Sequence, residues 1–252
     1  MKHKKVLRIL CALFVLLLIF SAAALAVVAD RGLLSGYHPL KNPKEGQIRV
    51  ACVGDSVTYG FGIPRRSAKS YPAFLQELLG DGYCVNNYGY SGRTACLLGD
   101  RPYRTETLCT KSREFSPDIV VILLGANDSK TFNWNTEVGG QRAYPELFEK
   151  DFKELVSLYR ELPSHPKVYV ATPLPAYADG SGKVRYDIQP EVISDEILPA
   201  VKRVAEENAD GVIDLYSVFD GKTELYSDGL HPNDDGAALL ARTVYDEISG
   251  DW

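Results

Sequence analysis

Short, unbroken apolar runs alternate along the chain with longer segments in which apolar residues recur at helical spacing. The runs are IRVACVG, YCVNNYG, DIVVILLG, KVYVATP and GVIDLY, which begin at residues 48, 83, 118, 167 and 211. Continuous apolarity is typical of strands that are buried on both faces, as in a parallel sheet. The alternation predicts a doubly wound α/β fold, a three-layer α/β/α sandwich with about five parallel strands.

Three segments between and after these runs predict helices. The clearest is Tyr144 to Leu162, where the apolar residues fall on one helical face. A second, Glu191 to Glu207, contains Pro199, which either kinks the helix or starts a new one. A third is predicted after Pro232.

The first 29 residues differ from the rest. Basic residues at positions 2, 4, 5 and 8 precede an apolar run from Ile9 to Ala29, which is the pattern of an export segment. The run is longer than the about 7–15 residues of a cleavable signal and long enough to span a bilayer, which favours a membrane anchor, although Val27-Val28-Ala29 would also suit signal peptidase. We therefore predict an anchor or signal peptide at 1–29, a linker at 30–46 and one extracytoplasmic domain at 47–252.

Composition narrows the classes of partner. The 252 residues are 45% hydrophobic and 24% charged, as in an ordinary globular chain, and the net charge is −5. Because the four basic groups of the export segment contribute to that balance, the domain itself is more acidic, which argues against nucleic acid as a partner.

No CxxC pair or histidine cluster indicates zinc, and no metal or cofactor is expected. Cys96 and Cys109 bracket a polar loop and are compatible with a disulfide in an oxidising compartment.

Polar motifs follow the predicted strands at the edge where parallel sheets bind ligands. Four occur in order, at the ends of the first, second and third runs and after the fifth: Gly54-Asp55-Ser56, Asn87-Tyr88-Gly89-Tyr90-Ser91-Gly92, Gly125-Ala126-Asn127-Asp128 and Asp228-Gly229-Leu230-His231. Because all four motifs come to one edge, they predict a single site.

The histidines point to nucleophilic chemistry by elimination. His3 lies in the export segment, His38 in the linker and His165 before the fourth strand, on the opposite edge of the sheet. His231 alone is placed to act as a base for Ser56, with Asp228 three residues earlier to fix its tautomer. The backbone N–H groups of Ser56 and Gly92 and the side-chain amide of Asn127 would then stabilise an oxyanion.

These residues resemble the SGNH (GDSL) hydrolases, whose name lists Ser, Gly, Asn and His: here Ser56, Gly92, Asn127 and His231. The resemblance covers about residues 47 to 248. It implies a flavodoxin-like sandwich and an acyl-serine mechanism in which His231 deprotonates Ser56 for attack on an ester. The segments GANDSKTFNW and LYSDGLHPN are most similar to the sialate O-acetylesterase-like or acetylxylan-esterase-like branch.

Plainer interpretations of the same residues remain open at this point. Ser56 alone would be explained as a helix N-cap, and Asp228 as a turn residue. Asp55 and Asp128 are predicted to support the site rather than to bind a metal.

The substrate is less well specified. The loops at the binding edge are short, which favours a small acyl group such as acetyl, carried by an O-acetylated glycan. Six aromatic residues in or near these loops would either stack on sugar rings or fill space within the loops: Tyr59, Phe61, Tyr103, Phe132, Trp134 and Tyr177. The alternatives are a lysophospholipase or thioesterase that acts on longer acyl chains, and a membrane-tethered glycan-binding module without turnover. The sequence does not indicate an oligomeric state.

Overall fold

The computed structural model describes residues 11, 13–22, 24, 40–138, 141–142 and 144–251. Its strands are β1 Ile48–Gly54, β2 Tyr83–Gly89, β3 Ile119–Leu123, β4 Glu137–Val138, β5 Gln141–Arg142, β6 Lys167–Ala171 and β7 Gly211–Ile213. Five of them form one parallel sheet in the order β2-β1-β3-β6-β7, whereas β4 and β5 form a separate antiparallel pair. The five strands of the main sheet lie within the five apolar runs from which they are predicted.

The register of the sheet brings the ends of β1, β2 and β3 level. Gly54 at the end of β1 lies opposite Gly89 of β2 and Leu123 of β3. The residues that follow these three strands therefore emerge side by side at one edge, as the ligand edge of such sheets requires.

Helices cover both faces of the sheet. They are α1 Ser56–Tyr59, α2 Arg66–Lys69, α3 Tyr71–Leu79, α4 Thr107–Glu114, α5 Thr131–Trp134, α6 Tyr144–Arg160, α7 Pro190–Val192, α8 Leu198–Asn208, α9 Leu215–Phe219 and α10 Asp234–Ile248. Short 3₁₀ turns occur at Tyr103–Thr105, Ala126–Ser129, Thr223–Leu225 and Ser249–Asp251.

The core divides along the alternation of side chains in β3. Val120 and Ile122 belong to a cluster with residues of α4, α6 and α8, whereas Ile119 and Val121 belong to a cluster with residues of α3, α9 and α10. All five residues of β3 are buried. Burial of both faces explains why the strand is apolar throughout, and it confirms the predicted three-layer sandwich.

The long helices agree with the sequence pattern. The helix predicted for Tyr144 to Leu162 is α6, which ends at Arg160. In the second helical segment, α7 leads into a π-helical turn at Ile193–Ile197, and Pro199 is the second residue of α8. Pro199 therefore lies in the first turn of a new helix, where its missing N–H is tolerated.

The N-terminal segment is described only in part. Residues 13–22 are helical and exposed, and no helix within the described ranges is both long and apolar enough to cross a membrane. Positions 1–10 and 25–39 lie outside the described residues, so the anchor or signal peptide and the extracytoplasmic location stay predictions. The end of the predicted linker packs on the domain, because the backbone N–H and C=O of Lys41 both bind the Asn86 side chain, at 2.8 and 2.9 Å.

The disulfide considered for Cys96 and Cys109 is not formed. Both are buried free thiols. Cys96 Sγ faces Asp151 Oδ2 at 3.4 Å, and Cys109 Sγ lies 4.0 Å from the Tyr159 hydroxyl. Burial raises the pKa of Cys96 to about 12, so this thiol stays protonated at neutral pH.

Candidate active site

The turn after β1 presents Ser56 at the edge of the sheet. Asp55 caps α1, since its Oδ1 accepts a hydrogen bond from the Val57 N–H at 2.9 Å. Only glycine fits before it, because a Cβ on Gly54 would lie 2.2 Å from Thr58 Oγ1 and 2.4 Å from the Leu123 carbonyl oxygen. The side chain of Ser56 takes no part in the cap, so the interpretation of Ser56 as only an N-cap is wrong.

The Ser56 hydroxyl instead contacts a histidine from the loop before α10. Ser56 Oγ lies 2.9 Å from His231 Nε2, and His231 Nδ1 lies 2.9 Å from Asp228 Oδ2. Ser56 and His231 are 7% and 3% exposed. The three side chains thus form a continuous, largely desolvated chain of hydrogen bonds.

Asp228 holds the histidine loop and the imidazole at the same time. Its Oδ1 accepts hydrogen bonds from the backbone N–H groups of Leu230 and His231, at 3.1 and 2.8 Å. Its Oδ2 is left to accept from Nδ1 of His231, which leaves Nε2 to accept from Ser56. Asp228 is a turn residue and an imidazole partner together, so the two interpretations of its sequence position are not exclusive.

The surroundings of Asp228 stabilise the negative charge of its carboxylate. Burial opposes ionisation, but the hydrogen bond and charge of His231 and the two backbone donors outweigh it and hold the pKa of Asp228 below its usual range. The carboxylate is therefore charged at neutral pH and stabilises a positive imidazole beside it.

Tyr186 also contacts this group, although its sequence position predicts no such role. Its hydroxyl donates to Asp228 Oδ2 at 3.1 Å, and its ring centroid lies 5.2 Å from that of His231. Tyr186 and Asp187 both have φ near +60°, a region that costs energy for residues other than glycine. No local pattern identifies Tyr186, because its loop reaches the site only through the tertiary fold.

Two backbone N–H groups are available among the residues that line the pocket with Ser56. Ser56 and Gly92 both line the pocket, and neither backbone N–H donates to another described residue. Gly92 has φ +81°, a conformation that glycine adopts without strain. These are two of the three donors predicted for an oxyanion, and that role stays a prediction.

The third predicted donor, the Asn127 amide, is already engaged. Asn127 Nδ2 donates to Asp55 Oδ2 and to the Arg93 carbonyl oxygen, both at 3.1 Å. Asn127 lines the pocket and is 6% exposed. For this amide to donate to a substrate oxygen, it would have to share or exchange one of these two bonds.

Asp128 joins the loops that follow β2 and β3. Its carboxylate accepts hydrogen bonds from the Ala95 and Cys96 N–H groups and from the Tyr144 hydroxyl, at 2.9, 3.0 and 3.0 Å. Burial raises its pKa to about 7 against these hydrogen bonds, and burial also raises the pKa of Asp55 to about 6. Both acids lie behind the site and support it, rather than facing the pocket.

We expect the thermal stability to fall as the pH rises from about 4 to about 7. The folded protein retains protons on Asp128 and Asp55 that the unfolded chain releases above its ordinary pKa of 3.8, so raising the pH favours unfolding. A decrease in Tm of roughly 3–6 °C is expected, measured by differential scanning calorimetry. Asp128→Asn should lower Tm at every pH but reduce this slope; an unchanged slope would contradict the assignment.

The pocket above Ser56 has a volume of about 480 Å³. Its lining includes the predicted site residues Ser56, Gly92, Asn127 and His231 and three motif residues to which the sequence assigns no role, Tyr90, Ser91 and Leu230. Five further lining residues lie outside the motifs: Phe61, Arg93, Arg101, Lys130 and Tyr186. Of the six loop aromatics considered from the sequence, Phe61 is in this lining, whereas Tyr59, Tyr103 and Trp134 are fully buried. Within the described part of the chain, no group of three or more His, Cys, Asp or Glu residues is arranged to hold a metal ion.

Two curated proteins and a solved structure are similar to this chain. An acetylxylan esterase from Xylanibacter ruminicola is 38% identical over 221 residues, covering 80% of this chain and 43% of that protein. A multidomain esterase from Ruminococcus flavefaciens is 27% identical, covering 84% of this chain and 30% of that protein. The chain therefore spans less than half the length of these two relatives.

The structural likeness concerns the fold. The crystal structure of a carbohydrate acetylesterase from Sinorhizobium meliloti matches with a TM-score of 0.57 at 20% identity, covering 82% of this chain and all of that one.

Residues 52–239 match the model of the GDSL-like lipase/acylhydrolase family, which confirms the resemblance seen in the motifs. The chain therefore belongs to the GDSL-like lipase/acylhydrolase family.

Proposed function

We propose that this protein is a serine esterase that removes small acyl groups, acetyl in particular, from O-acylated carbohydrate through an acyl-serine intermediate. The observation that carries the proposal is the chain of contacts from Ser56 Oγ to His231 and from His231 to Asp228, both 2.9 Å long. Membership of a lipase and acylhydrolase family and the esterase relatives support the class, carboxylic ester hydrolase.

In the first half of the reaction, His231 Nε2 takes the proton of Ser56 as Oγ attacks the ester carbonyl carbon. The carbonyl oxygen becomes negative and accepts hydrogen bonds from the N–H groups of Ser56 and Gly92. Asp228 stabilises the imidazolium that forms and keeps Nε2 directed at Ser56.

The second half releases both products. The tetrahedral intermediate collapses, the bond between the carbonyl carbon and the alcohol oxygen breaks, and His231 gives its proton to the leaving alcohol. Water then enters, loses a proton to His231 and attacks the acyl carbon. The bond between the acyl carbon and Ser56 Oγ breaks, His231 returns the proton to Oγ, and the acid is released.

Carbohydrate is the proposed alcohol because the 38% identical relative bears the name acetylxylan esterase. The pocket volume of about 480 Å³ is in the range of small-ligand sites, about 300–1,000 Å³, and accommodates one sugar unit with its acyl group. Location outside the cytoplasm is part of the proposal and rests on the basic and apolar N-terminal sequence.

A chain-length series tests the acyl preference. With p-nitrophenyl acetate, butyrate and octanoate and the full chain, we expect kcat/KM to fall about tenfold or more from acetate to octanoate, since the pocket is lined by charged side chains as well as aromatic ones. A preference for octanoate would instead support the lipid or thioester alternative. Absence of turnover with every ester, in a protein shown to be folded, would support the glycan-binding module.

A further inference from the structure

Three cationic side chains, Arg93, Arg101 and Lys130, line the pocket of a chain whose net charge is −5. Positive charge is therefore concentrated where the substrate would bind, although the chain as a whole is negatively charged. Whether these cations can attract a ligand depends on how completely acids of the protein already neutralise them.

Arg93 is neutralised. Its guanidinium forms a salt bridge of 2.7 Å with Glu106, donates to the Ser91 carbonyl oxygen at 2.9 Å and lies 3.3 Å from the centroid of the Tyr90 ring. With a carboxylate, a carbonyl and an aromatic face as partners, this side chain is a fixed part of the pocket wall.

Arg101 and Lys130 are not neutralised to the same extent. Arg101 Nε lies 3.8 Å and Lys130 Nζ 3.7 Å from one and the same oxygen, Oδ2 of Asp100. Neither cationic group donates a hydrogen bond to any other described residue. Two positive charges thus share the Asp100 carboxylate at a distance too long for hydrogen bonds. Lys130 Nζ also lies 5.7 Å from the centroid of the Phe132 ring and interacts through its charge with the buried Asp55.

The two cations differ in exposure. The Lys130 side chain is only 11% exposed, whereas that of Arg101 is 62% exposed. An ammonium that is largely removed from water and lacks a hydrogen-bonded acid is costly, and an anion supplied by a ligand would offset that cost. The exposed guanidinium is free to pair with such an anion in a bidentate manner.

The Arg101 guanidinium is close to the proposed reaction centre. A Cβ built on Gly92 would lie 3.5 Å from Arg101 Nη1, so the guanidinium is adjacent to one of the backbone N–H donors. A ligand anion bound there would be only a few bonds from the ester carbonyl.

We propose that the pocket selects esters that carry a carboxylate near the ester group, bound by Arg101 and Lys130. This inference rests on the proposed esterase function and adds a substrate class to it. The carboxylate belongs either to the sugar, as in an O-acetylated uronic acid, or to the acyl group, as in a hemisuccinate ester.

The test compares matched pairs of substrates with the full chain. One pair is an O-acetylated methyl glucuronide and the corresponding methyl glucoside, and the other is the hemisuccinate and the butyrate of p-nitrophenol. We expect kcat/KM to be about tenfold or more higher for the anionic member of at least one pair, and the pair that shows this identifies the source of the carboxylate. The preference should shrink as ionic strength rises.

Variants assign the preference to the two cations. Arg101→Gln should reduce the ratio of anionic to neutral kcat/KM about fivefold, and Arg101→Gln with Lys130→Met should bring it close to one. Arg242→Gln removes one positive charge from a side chain that is 60% exposed on α10 and should keep the ratio. If the wild type hydrolyses neutral and anionic esters equally, the inference is wrong and the esterase function stands; if it hydrolyses none, the esterase function itself fails.

Discussion

Ser56→Ala will reduce ester hydrolysis at least about a thousandfold, because the substitution removes the nucleophile and leaves only the oxyanion donors. The fold should be kept, since the cap of α1 is the side chain of Asp55 and not that of Ser56. The measurement is kcat/KM for p-nitrophenyl acetate, together with covalent labelling of the protein by a fluorophosphonate and mass spectrometry.

The matched control is Ser157→Ala on α6. The Ser157 hydroxyl donates to the Lys153 carbonyl oxygen within the same helix, so its loss should change neither hydrolysis nor labelling. Wild-type and Ser157→Ala protein should gain one phosphonyl group, and Ser56→Ala protein none. Hydrolysis that persists in Ser56→Ala at the wild-type rate would reject the acyl-serine mechanism.

The strands and the motif positions could be predicted because each depends on a local signal. A strand covered by helices on both faces is largely apolar, so β1 and β2 coincide with the runs IRVACVG and YCVNNYG, in which only Arg49, Asn86 and Asn87 are polar. Since parallel strands end at one edge, the residues after them are brought together without any knowledge of the helices. Ser56 and His231, 175 residues apart in the chain, meet for this reason.

The lining of the pocket could not be predicted in the same way. Tyr59, Tyr103 and Trp134 occur in loops or short helices but are buried as packing residues, whereas Arg101, Lys130 and Tyr186 reach the pocket through long-range packing. A polar loop sequence does not state which of its side chains faces inward, because loop conformation is set by the surface on which it rests.

The sequence also does not predict which side chains of the site already have hydrogen-bond partners within the protein. The motif GAND places Asn127 correctly, but that its amide is already bound to Asp55 and Arg93 depends on the approach of three separate loops. The same holds for Asp128, whose three donors come from residues 95, 96 and 144.

Asp228→Asn will lower kcat/KM about a thousandfold or more, although it leaves the size of the side chain unchanged. The amide can still accept from the Leu230 and His231 N–H groups through Oδ1, so the loop should keep its shape. In place of Oδ2, however, it offers an N–H group to His231 Nδ1, which favours the tautomer with the proton on Nε2. That imidazole cannot accept the proton of Ser56.

Separate values of kcat and KM distinguish this effect from a general loss of structure. The Asp228 carboxylate stabilises the imidazolium that forms only during the reaction, so its removal should lower kcat and leave KM nearly unchanged. Tyr186→Phe is the matched control, because it removes a neutral donor to the same oxygen, Asp228 Oδ2, and leaves the carboxylate in place. Its loss should be about tenfold at most. A loss of less than about tenfold in Asp228→Asn would mean that Ser56 and His231 act without an acidic partner.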